Sequence, residues 1–226
     1  MTLTVQTIKG GAGIGVDPGQ AQGAAAFVHS DIGGNPEVLR VIGWQRDKRK
    51  RAVNAYRVKV WQRGECTEVS GGAATVFDAY GDHLLDWVSE YLINNDPAFV
   101  WKRTAAVEAI LSYGPPRKGL LDLAANAGGL EALSCAFADD GVQRPPERVW
   151  TKAIADVPGN TRKAQTRVML RAALDGKPCT LRKGGDLVSW GIVLDGDTLT
   201  EHMIDAIGIA LYGLGGRLVR ETRRET

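Results

Sequence analysis

Three acidic residues stand where every neighbour is apolar or small. Asp17 ends the run "GIGVD", Glu108 interrupts "TAAVEAIL", and Asp205 lies within "EHMIDAIGIALYG". An ionised carboxylate buried without a partner is unfavourable by several kcal/mol or more. Gathered around divalent cations, the same groups become the hard oxygen ligands that Mg²⁺ and Mn²⁺ prefer. Two such cations about 4 Å apart activate a water and stabilise a leaving oxygen, which is the chemistry of phosphodiester cleavage. In the last stretch Glu201, His202 and Asp205 fall at i, i+1 and i+4, so a helix is expected to project all three to one side. Each residue also has an ordinary structural explanation: Asp17 capping a turn, Glu108 pairing with an arginine, His202 exposed on its helix. Acids on a first strand, a central strand and a last helix form a pattern that those separate explanations do not share.

The elements that must position these residues follow from periodicity. "GIGVD", "GAAAFVHS" and "PEVLRVIGW" predict three strands joined by short turns, an antiparallel meander that "YRVKVWQRG" extends. Apolar residues recur at helical spacing from Ala74 to about Asn94, and "TAAVEAIL" fits a buried strand with Glu108 in its midst. "KGLLDLAANAGGLEALSCAFADDG" and "NTRKAQTRVMLRAAL" predict helices, "PPERVW" a short strand, and Leu199 to Tyr212 a final helix. Three strands, then alternating helix and strand, then a terminal helix describe an α/β or α+β sheet with helices on its faces.

At 226 residues the chain is long enough to bury a sizeable core, and 44% hydrophobic with 24% charged residues is an ordinary globular balance. No window is apolar enough to predict a membrane span, and "MTLTVQTIKGG" lacks the pattern of a secretory signal. Cys66, Cys135 and Cys179 are scattered without CxxC spacing, so neither a disulfide framework nor a zinc site is expected. The net charge of +2 hides strong clustering: "RDKRKR" (46–51), "TRKAQTRVMLR" (161–171) and four arginines among the last ten residues. Such clumps suit a phosphate-rich partner. Lys163, Arg167 and Arg171 fall at i, i+4 and i+8, giving one cationic helix stripe suited to a DNA strand.

The ordered set resembles the RNase H-like nuclease superfamily, and in detail its RuvC-type Holliday-junction resolvases. "GIGVDPGQAQGAAAFV" looks like that family's first-strand motif, "AVEAIL" its central-strand glutamate, and "HMIDAIGIALYG" its terminal helix. "TKAIADVPGNTRKAQTRVMLRAAL" resembles the segment with one lysine at a strand end and another opening the next helix, here Lys152 and Lys163. The resemblance implies an RNase H-like α/β fold: a mixed sheet of a three-stranded antiparallel meander plus parallel strands, flanked by helices. It implies one domain over 1–226, with additions at about 46–72 and 175–198. Asp17, Glu108, His202 and Asp205 would bind two Mg²⁺ ions, with Mn²⁺ able to substitute, and Glu201 lies close enough to replace His202. Lys152 and Lys163 would meet the scissile phosphate or neighbouring backbone. Tyr113 stands near the place of the family's aromatic residue, where this chain has Leu111. Arg117, Lys118, Arg162, Arg167 and Arg171 join Tyr113 as DNA-binding candidates. The implied partner is branched DNA, a four-way junction, cut by a homodimer in the cytoplasm of a bacterial or phage-infected cell.

Other classes stay open at this level: a nuclease of the same superfamily acting on hybrids or flaps, or a DNA-binding module without catalysis. The sugar-kinase and actin type of RNase H-like fold would need a second copy of the DxG strand, which this chain lacks. Gly11, Gly13 and Gly15 imitate a dinucleotide fingerprint, but they precede and enter a strand instead of linking strand to helix.

Overall fold

A computed structural model of the chain describes residues 3–8, 10–19, 21–47, 55–62, 65–94, 102–110, 120–156, 162–174, 180–181, 187–188, 193–194 and 197–220. A short strand, β1 (Leu3–Gln6), precedes five strands in antiparallel succession. These are β2 (Gly11–Asp17), β3 (Gln22–Ser30), β4 (Pro36–Arg46), β5 (Tyr56–Gln62) and β6 (Glu65–Gly71). Next come α1 (Ala74–Asn94), β7 (Lys102–Val107), α2 (Leu120–Cys135), β8 (Val142–Gln143), α3 (Glu147–Ile154) and α4 (Arg162–Leu174). Four two-residue strands follow: β9 (Thr180–Leu181), β10 (Leu187–Val188), β11 (Val193–Leu194) and β12 (Asp197–Thr198). The described chain ends with α5 (Glu201–Gly213) and β13 (Arg217–Arg220), which pairs with β1.

The main sheet has the order β6-β5-β4-β3-β2-β7-β8, with β7 parallel to both β2 and β8. It is a mixed sheet, antiparallel along the meander and parallel at β7, flanked by helices. The meander runs further than three strands, because the 46–72 segment supplies β5 and β6 and widens the sheet at one edge. Most of 175–198 lies outside the described residues, as do Tyr113, Arg117 and Lys118. No helix among the described residues is long and apolar enough to cross a membrane.

Two local expectations are corrected. "PPERVW" is not a strand: the pairing segment is Val142–Gln143, and Glu147 opens α3. Pro146 at φ −61° precedes the helix without needing a donor, and Glu147 in the first turn suits its positive end. Glu108 is not inside its strand but one residue beyond β7, where its N–H donates to the Val16 carbonyl at 2.9 Å.

Side-chain alternation along the central strands decides which face each group serves. Ala12, Ile14 and Val16 of β2 join Phe27, Tyr80 and Trp87 in the core under α1 and α2. Gly11, Gly13 and Gly15 have the opposite parity and lie under α5. A Cβ on Gly15 would fall 2.1 Å from the Ala206 carbonyl oxygen and 2.2 Å from the Ala210 nitrogen. The glycines therefore let α5 rest backbone-on-backbone against β2, which accounts for the imitation of a dinucleotide fingerprint. On β7, Ala105 and Val107 face α1 while Ala106 packs under α5. Asp17 and Glu108 continue the α5-facing parity of their strands.

Candidate metal centre

Adjacent parallel strands bring Asp17 and Glu108 to the same lip of the sheet. The β2–β7 register pairs Val16 with Val107, and the Glu108 N–H bond to Val16 extends it by one step. Above them, Thr200 caps α5, its hydroxyl accepting from the Met203 N–H at 3.4 Å. The first turns of α5 then place His202 and Asp205 over the strand ends. One carboxylate oxygen from each of Asp17, Glu108 and Asp205 lies within 4.8 Å of the others. Asp205 is wholly buried and Asp17 nearly so, while Glu108 opens onto a cleft of about 470 Å³. Pro18, Gly19, Glu147, Arg148 and Lys163 complete much of its lining.

His202 is not one of the three clustered carboxylates; its Nδ1 sits 2.7 Å from Asp17 Oδ2. Glu201, though i, i+4 from Asp205, points outward to Arg167, so the three groups do not converge on one point. The reason is angular: consecutive helix residues diverge by about 100°. Lys163, in the first turn of α4, reaches Glu108 at 3.3 Å, Asp205 at 3.1 Å and Glu147 at 3.4 Å. It also stands 5.8 Å over the Trp150 ring. Arg167, one turn on, forks onto Asp205: Nε donates to Oδ1 at 2.7 Å and Nη2 to Oδ2 at 2.5 Å. Arg171 donates to the Leu199 carbonyl. Lys163 and Arg167 of the α4 stripe are thus turned into the site, and Arg171 faces the residue before the cap of α5. The docking of α5 sets this rotation, since Gly208 brings α5 against Trp150 and Leu170.

Lys152 lies on α3, not at a strand end, and is exposed. With Arg148 and Arg162 it lines a second open cleft of about 480 Å³, and Arg148 is a wall of both clefts. The sequence reading missed Glu147 and Arg148. Their signal is the Pro-Pro-Glu start of a helix, which a strand reading of that stretch hides.

Burial pushes the Glu108 carboxyl up to about 7, with the charges of Asp17 and Asp205 adding to the effect and Lys163 opposing it. The hydrogen bond to Asp17 holds His202 above its ordinary value despite partial burial. Burial opposes charge on Lys163, but Asp205, Glu108, Asp17 and Glu147 outweigh it and hold the ammonium firmly protonated. Glu108 therefore binds its proton more tightly folded than unfolded. Its contribution to stability is fully present below the ordinary 4.5 and is lost as pH rises through about 7. Over that window the wild-type chain is expected to lose of the order of 2–3 kcal/mol that Glu108→Gln retains. Urea midpoints of the two proteins at about pH 5 and pH 8 measure the difference. Parallel pH profiles would remove Glu108 from the account.

No family model matches the chain, and no curated protein matches it by sequence. Among solved structures, that of Thermus thermophilus RuvC aligns over 88% of this chain and 90% of its own, at 14% identity and a TM-score of 0.41. A likeness this distant says nothing by itself of activity, and what the cleft can do rests on its own carboxylates and cations.

Proposed function

We propose that the chain is a metal-dependent endonuclease of the RNase H-like type that resolves four-way DNA junctions by phosphodiester hydrolysis, as a homodimer. The observation that carries this reading is the convergence of Asp17, Glu108 and Asp205, from two strand ends and a helix, with Lys163 among them beside an open cleft. The donor set fits a divalent cation, being hard carboxylate oxygens on rigid elements. Asp17, Glu108 and Asp205 would hold Mg²⁺, with Mn²⁺ as a substitute. When bound, such ions supply an acidified water and charge for the leaving oxygen.

The chain's own residues do the rest. Lys163 offers a fixed positive charge where negative charge grows on the phosphate. His202 orients Asp17 through Nδ1, leaving Nε2 as the nitrogen that holds or moves a proton. Arg148, Lys152 and Arg162 make a cationic wall leading away from the carboxylates, suited to a DNA backbone. Two copies match the two-fold symmetry of a junction in which two strands are cut.

Synthetic four-way junction, flap, RNA–DNA hybrid and linear duplex, each incubated with Mg²⁺, test the reading. The junction is expected to be cut in preference. Asp17→Asn is expected to bind it normally and cut more than about a hundredfold slower, because even outer partners of metal ligands are worth 10–100-fold. Undiminished cutting by Asp17→Asn overturns the metal centre. Preference for hybrid or flap moves the substrate within the superfamily, and binding without cutting by either protein leaves a DNA-binding module.

A further inference from the structure

Asp205 is held by more than its burial requires. The Arg167 fork takes both of its oxygens, at 2.7 and 2.5 Å, and Lys163 adds a third donor at 3.1 Å. A bidentate guanidinium uses the lone pairs that a cation would use. Arg167 also has a second anchor, its Nη1 donating to Glu201 Oε2 at 2.6 Å, and Glu201 stands at the rim with 68% of its side chain exposed. Lys163 repeats the design, touching half-buried Glu108 and buried Asp205 inside and half-exposed Glu147 outside. Lys163 and Arg167 thus each bridge an inner carboxylate and an outer one.

We propose that Arg167, tethered by Glu201, is a latch on Asp205. It covers the ligand oxygens until a phosphodiester draws the guanidinium toward the rim, so that nucleic acid and divalent cation bind cooperatively. This rests on reading the site as that of a metal-dependent nuclease. The exchange is chemically matched, since phosphate and carboxylate offer a guanidinium the same two-point acceptor. A cation arriving alone must displace a charge-assisted pair, whereas one arriving with nucleic acid meets Asp205 already released. By linkage, each ligand tightens the other by the same factor. Arg167 acts through Asp205 and is a positioning residue.

Calorimetric titration of the full chain with Mn²⁺, alone and with saturating four-way junction checked intact on a denaturing gel, tests the latch. Without DNA, Arg167→Gln is expected to bind Mn²⁺ about tenfold tighter than wild type or more. Arg167→Lys should fall between them, because lysine lacks the fork. Arg144→Gln removes the same charge from a residue paired with Glu131, outside both clefts, so it should change little. The junction should raise wild-type affinity for Mn²⁺ and raise that of Arg167→Gln much less. The latch is overturned if Arg167→Gln binds no tighter than Arg144→Gln, or if the gain from the junction survives in it. If Arg167→Gln does not fold, Arg167→Lys carries the same comparison. Should neither wild type nor the Arg167 variants bind Mn²⁺, the metal centre falls together with the latch. If wild type binds Mn²⁺ and Arg167→Gln matches it, only the latch falls.

Discussion

Asp205→Ala is expected to abolish cleavage and to remove about 2–4 kcal/mol of stability, whereas Asp205→Asn should abolish cleavage at a cost of about 1–2 kcal/mol. Asp205 is fully buried and answers the fork of Arg167 and the ammonium of Lys163. Removing one partner of a buried ion pair typically costs 3–5 kcal/mol, because the remaining charge is left uncompensated. Here the figure is set lower. Arg167 keeps Glu201 and Lys163 keeps Glu108 and Glu147, and both side chains retain some contact with water. Asparagine preserves the volume and one acceptor oxygen, so it tests the charge while sparing the packing. Urea denaturation separates the two effects from the cleavage assay. Equal stability of wild type and Asp205→Ala would remove the buried pair from the account of the fold.

Gly15→Ala is expected to cost about 3 kcal/mol or more and to lower cleavage of whatever protein still folds by about a hundredfold. The new methyl would fall 2.1 Å from one backbone atom of α5 and 2.2 Å from another, with no flexible side chain to give way. Overpacking a core usually costs 1–3 kcal/mol, and a clash of backbone with backbone belongs at the top of that range or above it. Relief requires α5 to lift from β2, carrying His202 and Asp205 away from Asp17. A displacement of 1 Å in reacting groups can itself cost about a hundredfold. Gly128→Ala is the control: nothing lies within 4 Å of its added Cβ, and at this exposed position of α2 it should stabilise by up to about 1 kcal/mol. If the two variants have the same urea midpoint, the close approach of α5 to β2 is not what the glycines serve.

Much of the candidate centre was legible because alternation and helical spacing are local. Asp17 has the parity of Gly11, Gly13 and Gly15, so the residues that make room for α5 also say which face the carboxylate joins. The spacing of His202 and Asp205 on a long apolar helix placed both near one end of it, and the range Ala74–Asn94 for α1 follows from its apolar periodicity. The "PPERVW" stretch failed for an equally local reason. Its apolar residues are few, and the helix-start chemistry of Pro146 and Glu147 outweighs strand propensity there.

By itself, then, the sequence determined most of the elements and the three carboxylates. These depend on neighbours two to four residues away. Only the tertiary structure decided the partners of the α4 cations. A stripe at i, i+4 and i+8 reads the same whether it faces solvent or protein. Its direction is set by how α4 and α3 seat against α5, through Trp150 and Leu170 at Gly208. That contact joins residues 38 to 58 positions apart, and no local period encodes it. It brings the guanidinium of Arg167, expected from the sequence to meet DNA, onto Asp205.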